Sequence, residues 1–468
     1  MTTDAHGNPT TGSVAAIERF DATLDRLLRY DAAVLDLWGA LAADEPDLPM
    51  GQAMTAYLML SATDAPFLPP AREAAAALRQ LPLNDRETAH ADAIDAWIAG
   101  DWRGAAARLD ALLVQWPADL LALQVGHQLD FFLGDAQNLR DRVGRSLGAI
   151  DPKHPHYAIA LGMHAFGLEE SGHYGESEAA GLAAVETNPD DVWAIHAVVH
   201  TYEMQGRVDA GIGFLRQREA DWGDGNLFKV HNWWHLALYL LETGQPDGAL
   251  AIYDQHLHNA DSEGVPLEML DASALLWRLL LDGVATGDRF AALADAWATR
   301  VDDEPWYAFN DLHAVMALCG ADRVADANAV VERLGRYVSG ASESAATNVT
   351  MTAEIGLPAC RAVVAFTEER HRDVVAALLP IRRALQHFGG SHAQRDALQR
   401  TLLTSALRAG ELSLARALVS ERLALRESSV YAWLKRADLL DATGDTVAAA
   451  DARSRAESFQ ARFAAALA

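Results

Sequence analysis

Apolar positions along this chain recur at helical rather than alternating spacing. Ala and Leu dominate them, and Val and Ile do not fall into the every-second-residue pattern of a half-buried strand. Glycines punctuate the pattern. Gly100, Gly134, Gly172, Gly206 and Gly244 each end a long helical stretch, at spacings of 34, 38, 34 and 38 residues. A polar or aromatic residue and an Ala-rich stretch follow, as in Gly100-Asp-Trp-Arg-Gly-Ala-Ala and Gly244-Gln-Pro-Asp-Gly-Ala-Leu. The period weakens through Gly287 and Gly320 and returns at Gly410 and Gly444, again 34 apart. This spacing predicts a repeated helical hairpin. The glycine supplies the left-handed residue that closes a first helix, and a proline ends the second. Pro117 and Pro189 each stand 17 residues beyond such a glycine. Asn188-Pro189-Asp190-Asp191 reads as a turn followed by an N-cap. The chain is therefore expected to be all-α, a right-handed solenoid of stacked hairpins whose concave surface encloses a pocket.

Three segments follow from the same pattern. Residues 1–80 are less regular, with loop signals at Asp44-Glu-Pro-Asp-Leu-Pro and Phe67-Leu-Pro-Pro, and read as an N-terminal helical lead-in. Residues 81–455 carry the repeats. Residues 456–468 end a closing helix, since neither Gly nor Pro occurs after Gly444. The small-residue run from Ser339 to Thr347 is the segment expected to be mobile.

The hairpins resemble the tetratricopeptide repeat, with Trp193 near the start of one first helix and Gly206 in its turn. Longer words extend the resemblance: Gln124-Val-Gly-His-Gln, Trp193-Ala-Ile-His-Ala-Val-Val-His-Thr-Tyr-Glu-Met-Gln-Gly, His231-Asn-Trp-Trp-His-Leu-Ala-Leu-Tyr, Phe309-Asn-Asp-Leu-His, Leu378-Leu-Pro-Ile-Arg and Gly389-Gly-Ser-His-Ala-Gln-Arg-Asp. In this order they are similar to the tetratricopeptide repeat protein 38 family, which has human and bacterial members, from about residue 15 to about residue 455. The resemblance implies the fold. It implies no reaction, because that family has no settled biochemical role. At His392 the family word can carry Asn, which argues against His392 as an essential ligand.

In the tetratricopeptide register, first-helix positions 2, 5, 9 and 12 face the concave surface when the turn glycine is position 15. His196, His200 and Glu203 fall at 5, 9 and 12, within an arc of roughly 60° of one helix face. His90 falls at 5 and His231 at 2. His235, His127 and His313 lie one residue from the register. Imidazole binds Zn, Fe, Ni or Cu, and a carboxylate completes a three-ligand face. The expected metal ligands are therefore His196, His200, Glu203 and His231, around a divalent metal such as Zn. Glu203, His200 and His235 are the candidate acid–base groups. The pair His196-Ala-Val-Val-His200 lacks the Glu of the zincin motif. Around this centre, His90, His127, Trp234, Asp311, His313 and Arg395 are candidate substrate contacts. Asp311 is also a candidate N-cap, and Arg395 a clamp for a carboxylate or phosphate or the partner of a neighbouring acid. Each has a plainer reading as well: a histidine inside a repeat is often a satisfied core residue, and Trp193, Trp233 and Trp234 pack at repeat positions. His154, His156, His256 and His258 read as solvent-facing.

Composition narrows the partners. The 468 residues include 38 Lys plus Arg against 65 Asp plus Glu, a formal charge of −27. Such a chain lacks the basic face that nucleic acid or an anionic membrane requires. Cys319 and Cys360 suggest no disulfide framework. The polar N-terminus shows no secretory signal, and no run of ~18 apolar residues occurs. A cytoplasmic protein is expected. Phosphate-cradling loops, Gly-x-Ser-x-Gly elbows and Cys–His pairs are missing from the sequence. Two readings stand. One is a hydrolase or lyase, metal-assisted or His-dependent, acting on a small polar molecule in an enclosed pocket. The other is a non-catalytic scaffold for protein–protein interaction, with dimerisation through an end helix left open.

Overall fold

The structure, a computed structural model, describes residues 2–301, 305–341 and 346–467. Helices occupy most of them, and the only extended pairings among them are two isolated bridges, Thr3 with Pro9 and Asp31 with Asn226. The hairpin turns explain why. Gly100, Gly134, Gly172, Gly206, Gly244, Gly410 and Gly444 all have φ between 66° and 83°. After each, the next backbone N–H donates to the carbonyl five residues back at 2.8–2.9 Å, as from Arg207 to Tyr202 and from Asp135 to Asp130. The left-handed residue lets this bond close the first helix, and a side chain there would crowd the following carbonyl. Asp101 and Asp135 then cap the second helices through their carboxylates.

The weak stretch of the period follows the same geometry at other positions. Its turn residue is Gly283 (φ 76°), with Val284 N–H bonded to Leu279, rather than Gly287, which lies in the next loop. Gly320 is the last residue of the helix Ala308–Gly320, and Asp322 (φ 60°) takes the left-handed position. A further turn at Glu369 (φ 57°) carries no glycine. The turn is set by the backbone bond, and an acid tolerates it at a local cost of about 1–2 kcal/mol.

Stacked hairpins curl until the array meets itself. Thr347 N–H donates to Gly100, Tyr307 Oη to the Phe132 carbonyl, His392 N–H to Glu170, and Ser428 Oγ to Gly206. The N-terminal helices Val14–Leu28 and Val34–Asp44 close the structure from another side. Ala32 N–H bonds the Gly225 carbonyl, Leu227 N–H bonds the Tyr30 carbonyl, and the Tyr30 ring stacks on Trp193 at 5.4 Å. The last helix, Thr446–Leu467, packs on Val430–Ala442 and Val208–Gln217. The helix Val192–Met204 consequently has no wet face. All 13 residues of Val192–Met204 are buried, including His196, His200, Thr201 and Glu203. The helical run Thr347–Thr367 is long and apolar enough to cross a membrane by composition, but its most apolar window is 67% buried inside the solenoid. Of the small-residue run Ser339–Thr347, residues 342–345 lie outside the described residues.

Two glycines separate the turn from its surroundings. A methyl group on Gly172 would meet open space, whereas on Gly134 it would run into the Gln386 carbonyl. Gly172→Ala is expected to lose about 1–2 kcal/mol, the left-handed penalty alone. Gly134→Ala should lower the melting temperature much further or prevent folding. Equal melting shifts for the two variants would show that the contact between successive turns of the array contributes nothing.

Candidate metal centre

The helix Val192–Met204 starts where Asp191 caps it, its carboxylate accepting from Trp193 and Ala194 N–H at 3.1 and 2.9 Å. The next first helix, Lys229–Glu242, lies beside it and carries His231 and His235. Four imidazoles, His196, His200, His231 and His235, each bring a ring nitrogen within 4.8 Å of all the others. His231 Nε2 lies 3.1 Å from His196 Nε2 and 3.2 Å from His235 Nε2. Phe166, Trp193 and Phe228 wall the cluster around His196, and Trp234 stacks on His231 at 5.2 Å.

Carboxylates on the far side of two rings fix their protons. Asp271 Oδ2 accepts from His231 Nδ1 at 2.6 Å, and Glu203 Oε2 from His235 Nδ1 at 2.9 Å. With both Nδ1 protons so committed, the facing Nε2 atoms of His231 and His235 carry lone pairs. At 3.2 Å two lone pairs repel unless a metal ion or a shared proton lies between them. A tetrahedral metal with Zn–N bonds of 2.0–2.1 Å sets its donors about 3.3–3.4 Å apart. The observed separations are close to that edge. Carboxylate–imidazole pairs of this kind are the usual support for a metal-binding ring. Burial first, then the neighbouring imidazoles, drives the pKa values of His196, His200 and His235 well below the ordinary range, so these rings are neutral and ready to donate lone pairs.

Glu203 is placed differently from the expectation. Its carboxylate sits behind His235 rather than among the converging nitrogens, because its position on Val192–Met204 points it at the outer nitrogen of that ring. His235, expected as an acid–base group, stands among the four convergent rings. The remaining candidates lie outside that ring of nitrogens. His90 bonds Asp119 at 2.9 Å and Tyr57 Oη at 3.2 Å, in a network where Arg86 also holds Asp119. His127 packs edge-on against Phe166 and Trp193, one layer behind His196. His313 donates from Nδ1 to the Phe309 carbonyl at 2.7 Å. Trp234 is fully buried between His231 and the Arg278 guanidinium, which leaves it no surface for a substrate. Asp311 pairs with Arg333 at 3.3 Å and is not the N-cap, since the helix begins at Ala308. Arg395 pairs with Glu170 at 3.1 Å and also bonds the Gly390 carbonyl, so its partner acid is Glu170 and not Asp396.

Three residues of this region, Asp271, Glu169 and Glu170, went unnoticed in the sequence, and a fourth, His392, was set aside as an essential ligand. Asp271 is a buried acid in the otherwise apolar middle of the helix Pro266–Leu281, one turn after Glu268, which was signal enough. Glu169 stands three residues before Gly172, as Glu203 stands before Gly206, so the groove register applied to that hairpin points to it. Glu170 is its neighbour on the same helix, and His392 meets the pair from a distant hairpin, which no local pattern announces. Burial and the adjacent Glu170 raise the Glu169 carboxyl well above the usual range, whereas His392 and Arg395 outweigh burial and hold Glu170 low. Glu170, His392 and Arg395 line a cavity of about 610 Å³. His154 and His156 are not simply solvent-facing: His156 is buried, bonded to Asp25 at 2.9 Å and to His6 at 2.9 Å. His256 stacks on Trp233 at 3.8 Å.

No family model matches the chain. Solved structures similar to it include the human IFIT1 dimer with PPP-AAAA, 13% identical over 98% of this chain and 95% of that one, TM-score 0.42. Yeast Tom70 is 11% identical over 96% of each chain, TM-score 0.31. The P58(IPK) TPR domain is 11% identical over 82% of this chain and 98% of that one, TM-score 0.22. At these identities the likeness concerns the fold alone. The chain is an all-α, tetratricopeptide-like helical-repeat solenoid.

The buried rings make folding depend on pH. Burial lowers the pKa of His313 to about 4, against 6.5 in an open chain. Below pH 6.5 the unfolded chain therefore takes up a proton that the folded chain refuses. His313 contributes stability that is complete above pH 6.5 and lost as pH falls toward 4, about 3 kcal/mol in all. The wild type should need less urea to unfold at pH 5 than at pH 7.5. His313→Gln should flatten that dependence by about 1.4 kcal/mol per pH unit. An unchanged slope in the variant would mean that His313 takes up a proton as readily in the folded chain as in the open one.

Proposed function

We propose that this protein binds a divalent transition metal through His196, His200, His231 and His235, with Asp271 and Glu203 orienting two of the rings. The facing lone pairs of His231 and His235 carry this reading. Four imidazoles favour Zn, Cu, Ni or Fe over Mg or Ca, which prefer oxygen donors. Bound there, the metal would act as a Lewis acid or as a structural clamp between two hairpins. The neighbouring cavity is the place for a small polar molecule, and metal-assisted hydrolysis is the reaction class that the set supports. The ordered sequence words favour membership of the tetratricopeptide repeat protein 38 family. Cys319 and Cys360, both buried and unpaired, suit a reducing, cytoplasmic setting. The charge of −27 favours partners other than nucleic acid or a membrane.

A second reading has its own observation. Four nitrogen donors fill a tetrahedral shell, and closed shells are typical of structural zinc. On this reading the metal fastens a non-catalytic scaffold whose partners meet its outer surface. A second copy, docked on the exposed face of Thr446–Leu467 where Val447 is 82% exposed, is one such partner.

Protein purified without a histidine tag should contain at least one equivalent of transition metal per chain. His231→Ala/His235→Ala should remove that metal, and Asp271→Asn should weaken its binding by 10–100-fold, in line with other outer-shell changes. Removal of the metal should abolish hydrolysis of small ester, amide or phosphate substrates on the first reading and only lower the melting temperature on the second. A wild type without metal, even after incubation with Zn, Cu, Ni or Fe, rejects both.

A further inference from the structure

Glu169 sits at the end of the helix Pro155–Glu170, fully buried, and neither of its oxygens has a hydrogen-bond partner. A buried carboxylate left without partners is costly, so a group of opposite charge is expected beside it. Two ring nitrogens from other hairpins face it instead. His200 Nδ1 lies 3.5 Å from its Oε2, and His392 Nδ1 lies 4.0 Å from its Oε1. Glu170 completes the group, with Oε2 3.2 Å from His392 Nδ1. The two longer gaps exceed a well-formed hydrogen bond. They suit two donors on one cation, because bonds of 2.0–2.2 Å place neighbouring donors about 3–4 Å apart, depending on the angle.

His200 joins this group to the histidine cluster. One donor atom each from Glu169, Glu170 and His200 lies within 4.8 Å of the others, as do those of the four imidazoles, and His200 belongs to both sets. Neither nitrogen of His200 has a hydrogen-bond partner, although the residue is fully buried. Its Nδ1 faces the glutamates, which leaves Nε2 for the histidines. An imidazole with two unsatisfied nitrogens in a dry interior is otherwise as unfavourable as the orphaned carboxylate.

We propose that Glu169, Glu170 and His200 Nδ1 hold a second divalent cation, with His392 completing the set from the cavity wall. The proposal rests on the metal reading of the four histidines in one respect, the sharing of His200. Ligation through both nitrogens removes the ring's single N–H proton, which leaves to solvent through the cavity. Two carboxylates and two imidazoles suit Zn, Fe or Mn. Arg395 remains on Glu170, because each carboxylate oxygen has a second lone pair to offer. The two positions differ in access. The rings of His196, His200 and His235 are enclosed, whereas Glu170 and His392 line the 610 Å³ cavity. The second cation is therefore the one that meets water or a small ligand from the cavity.

Metal-stripped protein titrated with Co(II) tests this, followed by visible absorption and by cobalt content after desalting. Two equivalents per chain are expected, with distinct spectra for the nitrogen-rich and oxygen-containing sites. Glu169→Gln keeps the shape of the side chain and removes its charge. It should retain the first equivalent and bind the second at least tenfold more weakly. His392→Ala, on the cavity wall and outside the buried core, should weaken the second equivalent selectively and serves if Glu169→Gln does not fold. One equivalent in the wild type, unchanged in these variants, overturns the second site and leaves the histidine site standing. No cobalt in the wild type overturns both.

Discussion

Desolvation of the polar residues on the inner helices is the constraint on which this structure turns. In an open superhelix the first helices of the hairpins would face water, and histidines or acids there would need no partner. Here successive turns of the array touch, and the N-terminal helices close the remaining side. The helix Val192–Met204 is buried all round, yet carries two imidazoles and a carboxylate. Each polar atom on it must then be satisfied by another protein group or by a bound ion. Glu203 finds His235, and Thr201 bonds Ser177 and the Ala197 carbonyl. Both nitrogens of His200 and both oxygens of Glu169 find no hydrogen-bond partner, and these leftovers mark the candidate chemistry.

The same closure separates two kinds of buried charge. Arg86 with Asp119 and Asp4, Arg142 with Asp130, and Arg400 with Glu242 and Asp396 are complete ion pairs in which each partner balances the other's desolvation. They fasten helices to one another. His90 belongs with them, as its two ring nitrogens are taken by Asp119 and Tyr57. The histidine cluster differs because its carboxylates sit behind the rings and leave the inner nitrogens free.

Much of this was legible in the chain. The glycines at 100, 134, 172, 206, 244, 410 and 444 located the turns because the left-handed conformation favours glycine wherever it occurs. The turns at Asp322 and Glu369 were illegible, since an acidic residue accepts the conformation without announcing it. The helical spacing of His196 and His200, and of His231 and His235, brought to notice the four rings that the structure draws together. It could not say that Glu203 would back His235, because a register gives the face of a helix and not the atom that a side chain reaches.

What the sequence determined by itself was local: helices, their turns, and the face on which each polar residue lies, all of which follow from spacing within a few residues. What only the tertiary structure decided was which of those faces meet and whether water reaches them. Asp271, His392 and the consecutive pair Glu169 and Glu170 come from three hairpins far apart in the chain, joined by the closure of one turn of the array upon another. The pKa shifts of the enclosed rings and the orphaned oxygens of Glu169 arise from that closure. Burial depends on every element that packs around a group, and no short stretch of sequence contains them all.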